Sequence, residues 1–434
     1  MDTLKPKGDS VVKIVSSIER LIRLGHWQAG HKLPTVRSLS DELNVNPSTV
    51  STAYKQLRDA GVIVTKGRQG TFVTEEVDIQ HTEMAVPKGL IDLASGNVDG
   101  RLLPKLNPDW LLNYNLYSGY EELGDNEQLK QLAKKQMNKH CDINAEPVLF
   151  SSTLDIMERA LSQWCVAGAK ILVEDPCWSP IKALAVSMRL DIIAMPIDEQ
   201  GAVIPDDEVL ASASAMIVTP RAHNPTGVNY SQQRWQTLAE RIADKDILLL
   251  IDDYWGELSR QPAPNLKLIK NEWIYSTSLS KFLGPDFRIA MAVGNGATIK
   301  AMKNRFSLGP RWVSGLLQFL AVNAWQDMLE TGLLNKAIDS YAQRREKLIN
   351  ELVKFGFDIW QSGEGLHVWL PVANENYAIQ ALAAKGWAVQ QGSAFSLDKK
   401  PAIRISISNL TLEDCTLLAK DIASILTNSK SMLY

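Results

Sequence analysis

Near the start of the chain the apolar positions recur at helical spacing. Val11, Ile14, Val15, Ile18, Leu21 and Ile22 form one stripe with charged residues on the opposite side, which predicts an amphipathic helix facing a core. Gly25 and Gly30 interrupt it. After Leu33 and Pro34, Thr35 is a good helix N-cap, Val36, Leu39 and Leu43 point inward over a short second helix, and Asn44 marks its end. Pro47 opens a third helix that places Val50, Ala53, Tyr54 and Leu57 on one face and stops at Gly61. Two helices joined by about three residues make a helix-turn-helix. The stretch VIVTKGRQGTFV beyond it reads as two short strands around a glycine turn, the wing of a winged helix.

From Leu90 onward the pattern changes. Apolar runs such as KILVED, AMIVTP, ILLLIDD and RIAMAVG alternate with amphipathic stretches, which signals an α/β domain on a mainly parallel sheet, with ligands expected at the carboxyl ends of the strands. The polar, acidic stretch in between lacks periodicity and reads as a linker. The expected organisation is a winged helix over 1–73, a linker over 74–89 and an α/β domain over 90–434, with a small C-terminal subdomain from about residue 330.

Composition narrows the class. With 434 residues and 45% hydrophobic content the chain has ample material for buried cores. No apolar run approaches the roughly 18–20 residues that span a bilayer, and the N-terminus lacks the apolar block of a signal peptide, so a cytoplasmic location is the expectation. The scattered Cys141, Cys165, Cys177 and Cys415 point to neither disulfides nor zinc, and the histidines His140, His223 and His367 form no metal-ligating spacing. Charge divides the chain: residues 1–73 carry a net +5 and the remainder a net −8. A basic module on an acidic body is suited to a polyanion. Its third helix offers Ser48, Thr49, Ser51, Thr52 and Lys55, short hydroxyls and a cation that fit a DNA major groove, and the wing tip adds Lys66, Arg68 and Gln69.

The chemistry of the large domain centres on YSTSLSKFLGPDFR. The Lys281 amine is able to form a Schiff base with an aldehyde cofactor, flanked by Ser278 and Arg288 as phosphate ligands. Partners follow other strands. Asp252 after ILLLI suits a protonated pyridine nitrogen, and Tyr254 and Asn224 suit the ring's phenolic oxygen. Trp178 suits stacking on a planar ring, and Ser152 and Thr153 open a helix whose first amides are able to hold phosphate. Together these read as a pyridoxal 5'-phosphate site.

Two resemblances follow from these residues. The run from Gly25 to Val73, with LPTVRSLSDELNVNPSTVSTAYKQL and GRQGTFV, resembles the winged helix of the GntR family of bacterial transcription regulators. It implies DNA contacts from Arg37, Ser48, Thr49 and Gly70; Pro47 stands where that family commonly has a basic residue. The ordered set from Ser152 to Lys281, with AIRISISN further on, resembles a fold-type-I aminotransferase. That likeness implies Lys281 as the Schiff-base lysine, Asp252 as the pyridine partner, Tyr254 and Asn224 at the phenolic oxygen, Trp178 stacked on the ring, and Ser278, Arg288 and Thr153 on phosphate. It also implies Arg404 on an effector carboxylate, while Ser152 replaces the family's usual phosphate-loop glycine. The fusion resembles the MocR subfamily of GntR regulators. It implies a homodimer, head-to-tail, binding a double-stranded DNA operator and sensing pyridoxal phosphate or an amine that reacts with it. The alternative is a pyridoxal phosphate-dependent aminotransferase with a fused DNA-binding head.

Overall fold

The computed structural model describes residues 5–59, 61–74, 86–116, 119–122, 124–141, 145–398 and 400–431. The chain divides into two compact units, one of residues 1–81 with the short stretches 165–170 and 182–192, the other of the remainder. Of the expected linker 74–89, residues 75–85 lie outside the described residues.

The first unit is built from α1 (Val11–Arg23), α2 (Val36–Leu43), α3 (Pro47–Asp59), β1 (Ile63–Thr65) and β2 (Thr71–Val73). Its core gathers Ile14, Ile18, Leu21, Leu39, Val50, Ala53, Leu57 and Val73, with Val11, Val15 and Ile22 packed at the edge. The helix ends have local causes. The Thr35 hydroxyl accepts a hydrogen bond from the Ser38 amide at 3.1 Å, and Asn44 closes α2 in the left-handed region at φ 53°. At the start of α3, Asn46 Oδ1 accepts from the Ser48 amide at 2.9 Å and from the Ser48 hydroxyl at 2.7 Å, satisfying groups that the helix leaves without an internal partner. The strands pair antiparallel from Ile63 with Val73 to Thr65 with Thr71. Gly70 turns the wing at φ 115°, and a Cβ there would lie 2.9 Å from Lys32 Cε.

The second unit holds an eight-stranded sheet of β4 (Val148–Phe150), β5 (Lys170–Asp175), β6 (Asp191–Asp198), β7 (Gly201–Ala202), β8 (Ala215–Val218), β9 (Leu248–Asp252), β10 (Trp273–Ser278) and β11 (Ala290–Gly294). Their order is β4-β11-β10-β9-β8-β5-β6-β7. The middle run β5, β8, β9 and β10 is parallel, whereas β11 pairs antiparallel with β10 and β4, and β7 with β6. The expectation of a mainly parallel sheet therefore describes its centre and not its margins. RIAMAVG is buried on both faces and reads like a parallel strand, because continuous burial encodes layer and not direction.

A four-stranded sheet completes this unit: β3 (Ile91–Leu93), β12 (His367–Pro371), β13 (Trp387–Gln391) and β14 (Ala402–Ser406), in the order β12-β14-β13-β3. The strand that opens the α/β region thus pairs, parallel, with Trp387–Val389 near the other end of the chain.

The core assignments have a direct consequence. Ile18 is fully buried, and Ile18→Ala is expected to cost about 2–5 kcal/mol by deleting buried methyl groups and leaving a cavity. Val12 on the same helix is 71% exposed, and its replacement by alanine is expected to stay within about 0.5 kcal/mol. Calorimetric unfolding of the two variants checks the contrast, which similar melting profiles would contradict.

Candidate functional site

On the first unit the candidate DNA-facing residues divide by exposure. Arg37, Ser48, Ser51, Lys55 and Gln69 are exposed, and Thr49 and Gly70 are half-buried. The Ser48 hydroxyl is already donated to Asn46, and Thr52 Oγ1 donates to the Ser48 carbonyl at 2.8 Å. The Arg68 side chain lies outside the described residues. On the wing, the Phe72 ring sits between two lysines, Lys66 Nζ at 5.6 Å and Lys32 Nζ at 5.9 Å from its centroid, so an aromatic surface carries two cations. Lys32 was not among the candidates because it precedes α2, and only the antiparallel bridge between Lys32 and Phe72 brings it to the wing.

On the second unit the candidate residues collect at the carboxyl ends of the central strands. Asp252 closes β9, fully buried, and its Oδ1 has no hydrogen-bond partner among the described residues. Its carboxyl is pushed up to about 8, mainly by burial and further by the neighbouring Asp253 and Glu174, while Lys281 and the Tyr254 backbone amide pull the other way. Asp253 points elsewhere. It pairs with the buried Arg221 guanidinium, through Nε at 3.0 Å and through Nη2, and accepts from the Tyr275 hydroxyl. Burial alone would depress the Arg221 charge, but Asp253 more than restores it. Glu174 is buried as well, accepting from the Thr219 amide at 3.0 Å and from the Tyr230 hydroxyl at 2.8 Å. His223 Nε2 approaches Glu174 to 3.2 Å without hydrogen-bond alignment.

Lys281 follows β10 on the connection to β11. Its Nζ donates to the Gly96 carbonyl at 3.3 Å and lies 5.9 Å from the centre of the Tyr254 ring. The Tyr254 hydroxyl donates to the Ala222 carbonyl at 2.6 Å, and burial pushes its titration upward. Arg404 on β14 is buried with its guanidinium 4.6 Å from the Phe395 ring; it donates to the Ala94 carbonyl and, at 3.3 Å, to Asn224 Oδ1. These contacts bring Lys281, Tyr254, Asn224 and Arg404 into one neighbourhood, with Asp252 within electrostatic reach of Lys281.

The remaining candidates are placed as follows. Thr153 is the buried first residue of a helix running to Trp164, and Ser152 is its cap, with Oγ accepting from the Asp155 amide at 3.1 Å. That helix start presents backbone amides. Ser278 ends β10 half-buried, with its Oγ accepting from the Ser280 amide at 3.3 Å. Trp178 is half-buried after β5, and Arg288 is exposed. These five positions are fixed by their own elements, and the contacts that gather Lys281, Tyr254, Asn224 and Arg404 are made by other residues. Two participants lay outside the sequence reading, Gly96 and Phe395: neither has a local signal, because the first acts through its carbonyl and the second by packing under a residue that follows it in the chain.

The donor set fits a pyridine cofactor carrying an aldehyde and a phosphate. A buried carboxyl, one oxygen of which has no partner among the described residues, lies within electrostatic reach of an amine that is grouped with a tyrosine, an asparagine and an arginine, and the helix start at Thr153 offers amides.

Comparison with known proteins bears on both units. Residues 11–73 match the model of bacterial regulatory proteins of the gntR family, and residues 88–422 match that of aminotransferase class I and II. The chain is 31% identical over 426 residues to the vitamin B6 salvage pathway transcriptional repressor PtsJ of Salmonella typhimurium, covering 96% of this chain and 98% of that protein. It is 26% identical over 424 residues, 89% of each chain, to the HTH-type transcriptional regulator YhdI of Bacillus subtilis. Among solved structures, a kynurenine aminotransferase of Pyrococcus horikoshii shares the fold at TM-score 0.69 and 21% identity, over 79% of this chain and 91% of that one. Among the described residues no helix is long and apolar enough to cross a membrane. A winged helix of gntR type, joined in one chain to an aminotransferase-like α/β unit, makes this protein a DNA-binding transcription regulator that belongs to the MocR subfamily of the GntR family.

Proposed function

We propose that this regulator binds pyridoxal 5'-phosphate at Lys281 and takes as its signal the cofactor or an amine that reacts with it, acting as a head-to-tail homodimer on a double-stranded operator. The observation that carries the reading is the buried Asp252 oxygen, which has no hydrogen-bond partner among the described residues. Leaving such a group unmatched costs about 1–3 kcal/mol, and a ring N–H is the complement it lacks. The name of the Salmonella relative, a repressor in vitamin B6 salvage, supports the same cofactor and adds repression as the sense of control.

Bound there, the cofactor supplies an aldehyde carbon for amines and a ring that draws off electrons. The residues of the chain do the rest. Lys281 provides the amine, and Asp252 holds a proton at neutral pH that it is able to share with a ring nitrogen. Asn224 and Tyr254 border the ring's phenolic side, Trp178 supplies a stacking face, and Ser152, Thr153, Ser278 and Arg288 serve the phosphate. Arg404, already oriented by Phe395 and two acceptors, receives a carboxylate. On DNA, Arg37, Ser48, Thr49, Ser51, Lys55, Arg68, Gln69 and Gly70 face the duplex, the cations on phosphates and the α3 hydroxyls on base edges.

An aminotransferase reading has one observation in its favour, the presence of Lys281, Asp252 and Arg404 together. Exchange between an amino acid and an oxo acid at roughly 1 per second or faster would establish it, whereas a single slow half reaction leaves sensing as the use of the site.

The cofactor is expected to give purified wild type a visible absorption band that Lys281→Ala lacks; identical spectra would overturn the assignment. Asp252→Ala is expected to weaken cofactor binding about tenfold or more, on the order of 1.4 kcal/mol. A second consequence concerns pH. The Asp252 carboxyl is raised on folding from 3.8 to about 8, so its contribution to stability is full below pH 3.8 and is lost as pH rises through 8. Cofactor-free wild type should therefore lose melting temperature relative to Asp252→Asn between about pH 4 and 8. Parallel profiles for the two proteins would refute it.

A further inference from the structure

Three groups from distant parts of the chain converge on Gly96. This residue adopts φ +70°, and a methyl group built on it would lie 2.9 Å from His367 Cε1, 3.3 Å from Arg404 Nη2 and 3.5 Å from His367 Nε2. Its carbonyl accepts from Lys281. The imidazole edge, the carboxylate-binding arginine and the lysine amine thus border one small volume. Strand pairing explains the arrangement. His367 on β12 lies opposite Ser406 on β14, and Arg404 stands two residues before Ser406, so all three share one face of the sheet.

His367 itself is 1% exposed, with Nδ1 3.2 Å from the Ser406 hydroxyl and its Nε2 edge bordering the space at Gly96. Burial, followed by the nearby charges of Arg404, Lys281 and Arg345, holds the ring neutral. The Nδ1–Ser406 contact is compatible with either tautomer; with the serine as donor the proton of the neutral ring sits on Nε2, which is then a donor itself. The cations around it make the volume a place for negative charge.

We propose that His367 is a specificity-determining residue of the effector site, donating from Nε2 to the same carboxylate that Arg404 receives, so that the site selects amines bearing a carboxylate over plain amines. The inference rests on the cofactor reading above and deepens it. Ser406 positions the ring, with its hydroxyl donating to Nδ1 while Nε2–H faces the carboxylate, and no net proton transfer is needed. Gly96 keeps the volume open, since any side chain there would meet both partners at once.

The test uses the full chain loaded with pyridoxal phosphate and follows the visible band while titrating matched pairs, L-alanine with ethylamine and L-norvaline with butylamine. Wild type is expected to bind each amino acid at least tenfold more tightly than its amine. His367→Phe is expected to remove most of that preference, lowering amino-acid affinity about tenfold while amine affinity stays within twofold, and His367→Gln, which keeps a donor, to restore a large part of it. Equal losses for both ligand classes would show a merely structural role and overturn the proposal, as would unchanged selectivity in His367→Phe. A wild type that forms no visible band overturns the cofactor reading and this inference with it. A normal band with unaltered selectivity in the variants overturns this inference alone. Should His367→Phe fail to fold, His367→Leu read by the thermal shift that succinate produces in cofactor-free protein gives the same decision: the shift is expected to shrink as it does in Arg404→Leu, and an undiminished shift counts against the proposal.

Discussion

Three buried carboxylates at the carboxyl ends of β5 and β9, parallel strands on either side of β8, set the terms for the ligand unit. Each must be matched, because an unpaired charge away from water costs several kcal/mol. Glu174 is matched by an amide and a tyrosine hydroxyl, and Asp253 by a bidentate guanidinium and a second tyrosine. Both remain close enough to burden the third, and Lys281 and the Tyr254 backbone amide do not offset that and its burial, so Asp252 takes up a proton instead. Arg221 is the hinge of this balance. By neutralising Asp253 it leaves Asp252 as the one carboxyl of the three with an oxygen available to a ligand. Replacing Arg221 would place two unmatched carboxylates side by side, which is why an arginine inside TPRAHNPTG matters as much as the asparagine that follows it.

A second constraint is steric. The turn that presents Asn224 runs backbone to backbone against β12: a Cβ on Gly227 would lie 2.6 Å from the His367 carbonyl, and that glycine sits at φ 74°. The turn and the strand are far apart in sequence and touch only because no side chain intervenes. Arg345 fills the rest of the space, donating to the same His367 carbonyl from a fully buried position that lowers its own titration to about 10. The imidazole, the turn and the arginine are therefore packed as one block, and the position of Asn224 depends on a strand that follows it by well over a hundred residues.

What the sequence made legible was local or sat at a strand end. The winged helix could be read element by element because caps such as Thr35 and Asn44 act within one turn, and because Ile14, Ile18, Leu39 and Leu57 keep helical spacing. Asp252 stands out because the apolar run ILLLI stops at it, and Lys281 because it follows the hydroxyl-rich run YSTSLS. The rest required distance. The parallel pairing of β3 with β13 depends on loop closure across most of the chain, and no periodicity announces a partner. The antiparallel margins escaped because buried strands of either direction look alike. Gly96, Phe395 and His367 escaped because each matters through what it touches, and the spacing of His367 along the chain says nothing of the arginine that borders the same space. The Ser48 hydroxyl, read as a DNA contact, is also held by Asn46, a cap visible only once the helix start is in place.

A signalling ligand must bind two states of its receptor with different affinity, and a coupling of 1–3 kcal/mol is typical. The ligand unit holds three hydrogen bonds that an occupant of the proposed site has to share or displace: Arg404 to the Ala94 carbonyl, Arg404 to Asn224, and the Tyr254 hydroxyl to the Ala222 carbonyl. The first two tie the segment before Gly96 and the turn at Asn224 to β14, and the third ties that turn to Tyr254, two residues past β9. Each is worth about 0.5–1.5 kcal/mol net, so exchanging them for contacts to a carboxylate and a ring falls within the range that regulation requires. Chemical turnover adds nothing to such a switch, because the free energy lies in which partners Arg404 and Tyr254 keep. A regulator therefore has reason to retain the residues of an aminotransferase site while using them to hold a ligand, and the buried proton on Asp252 biases the site toward a ligand able to accept it.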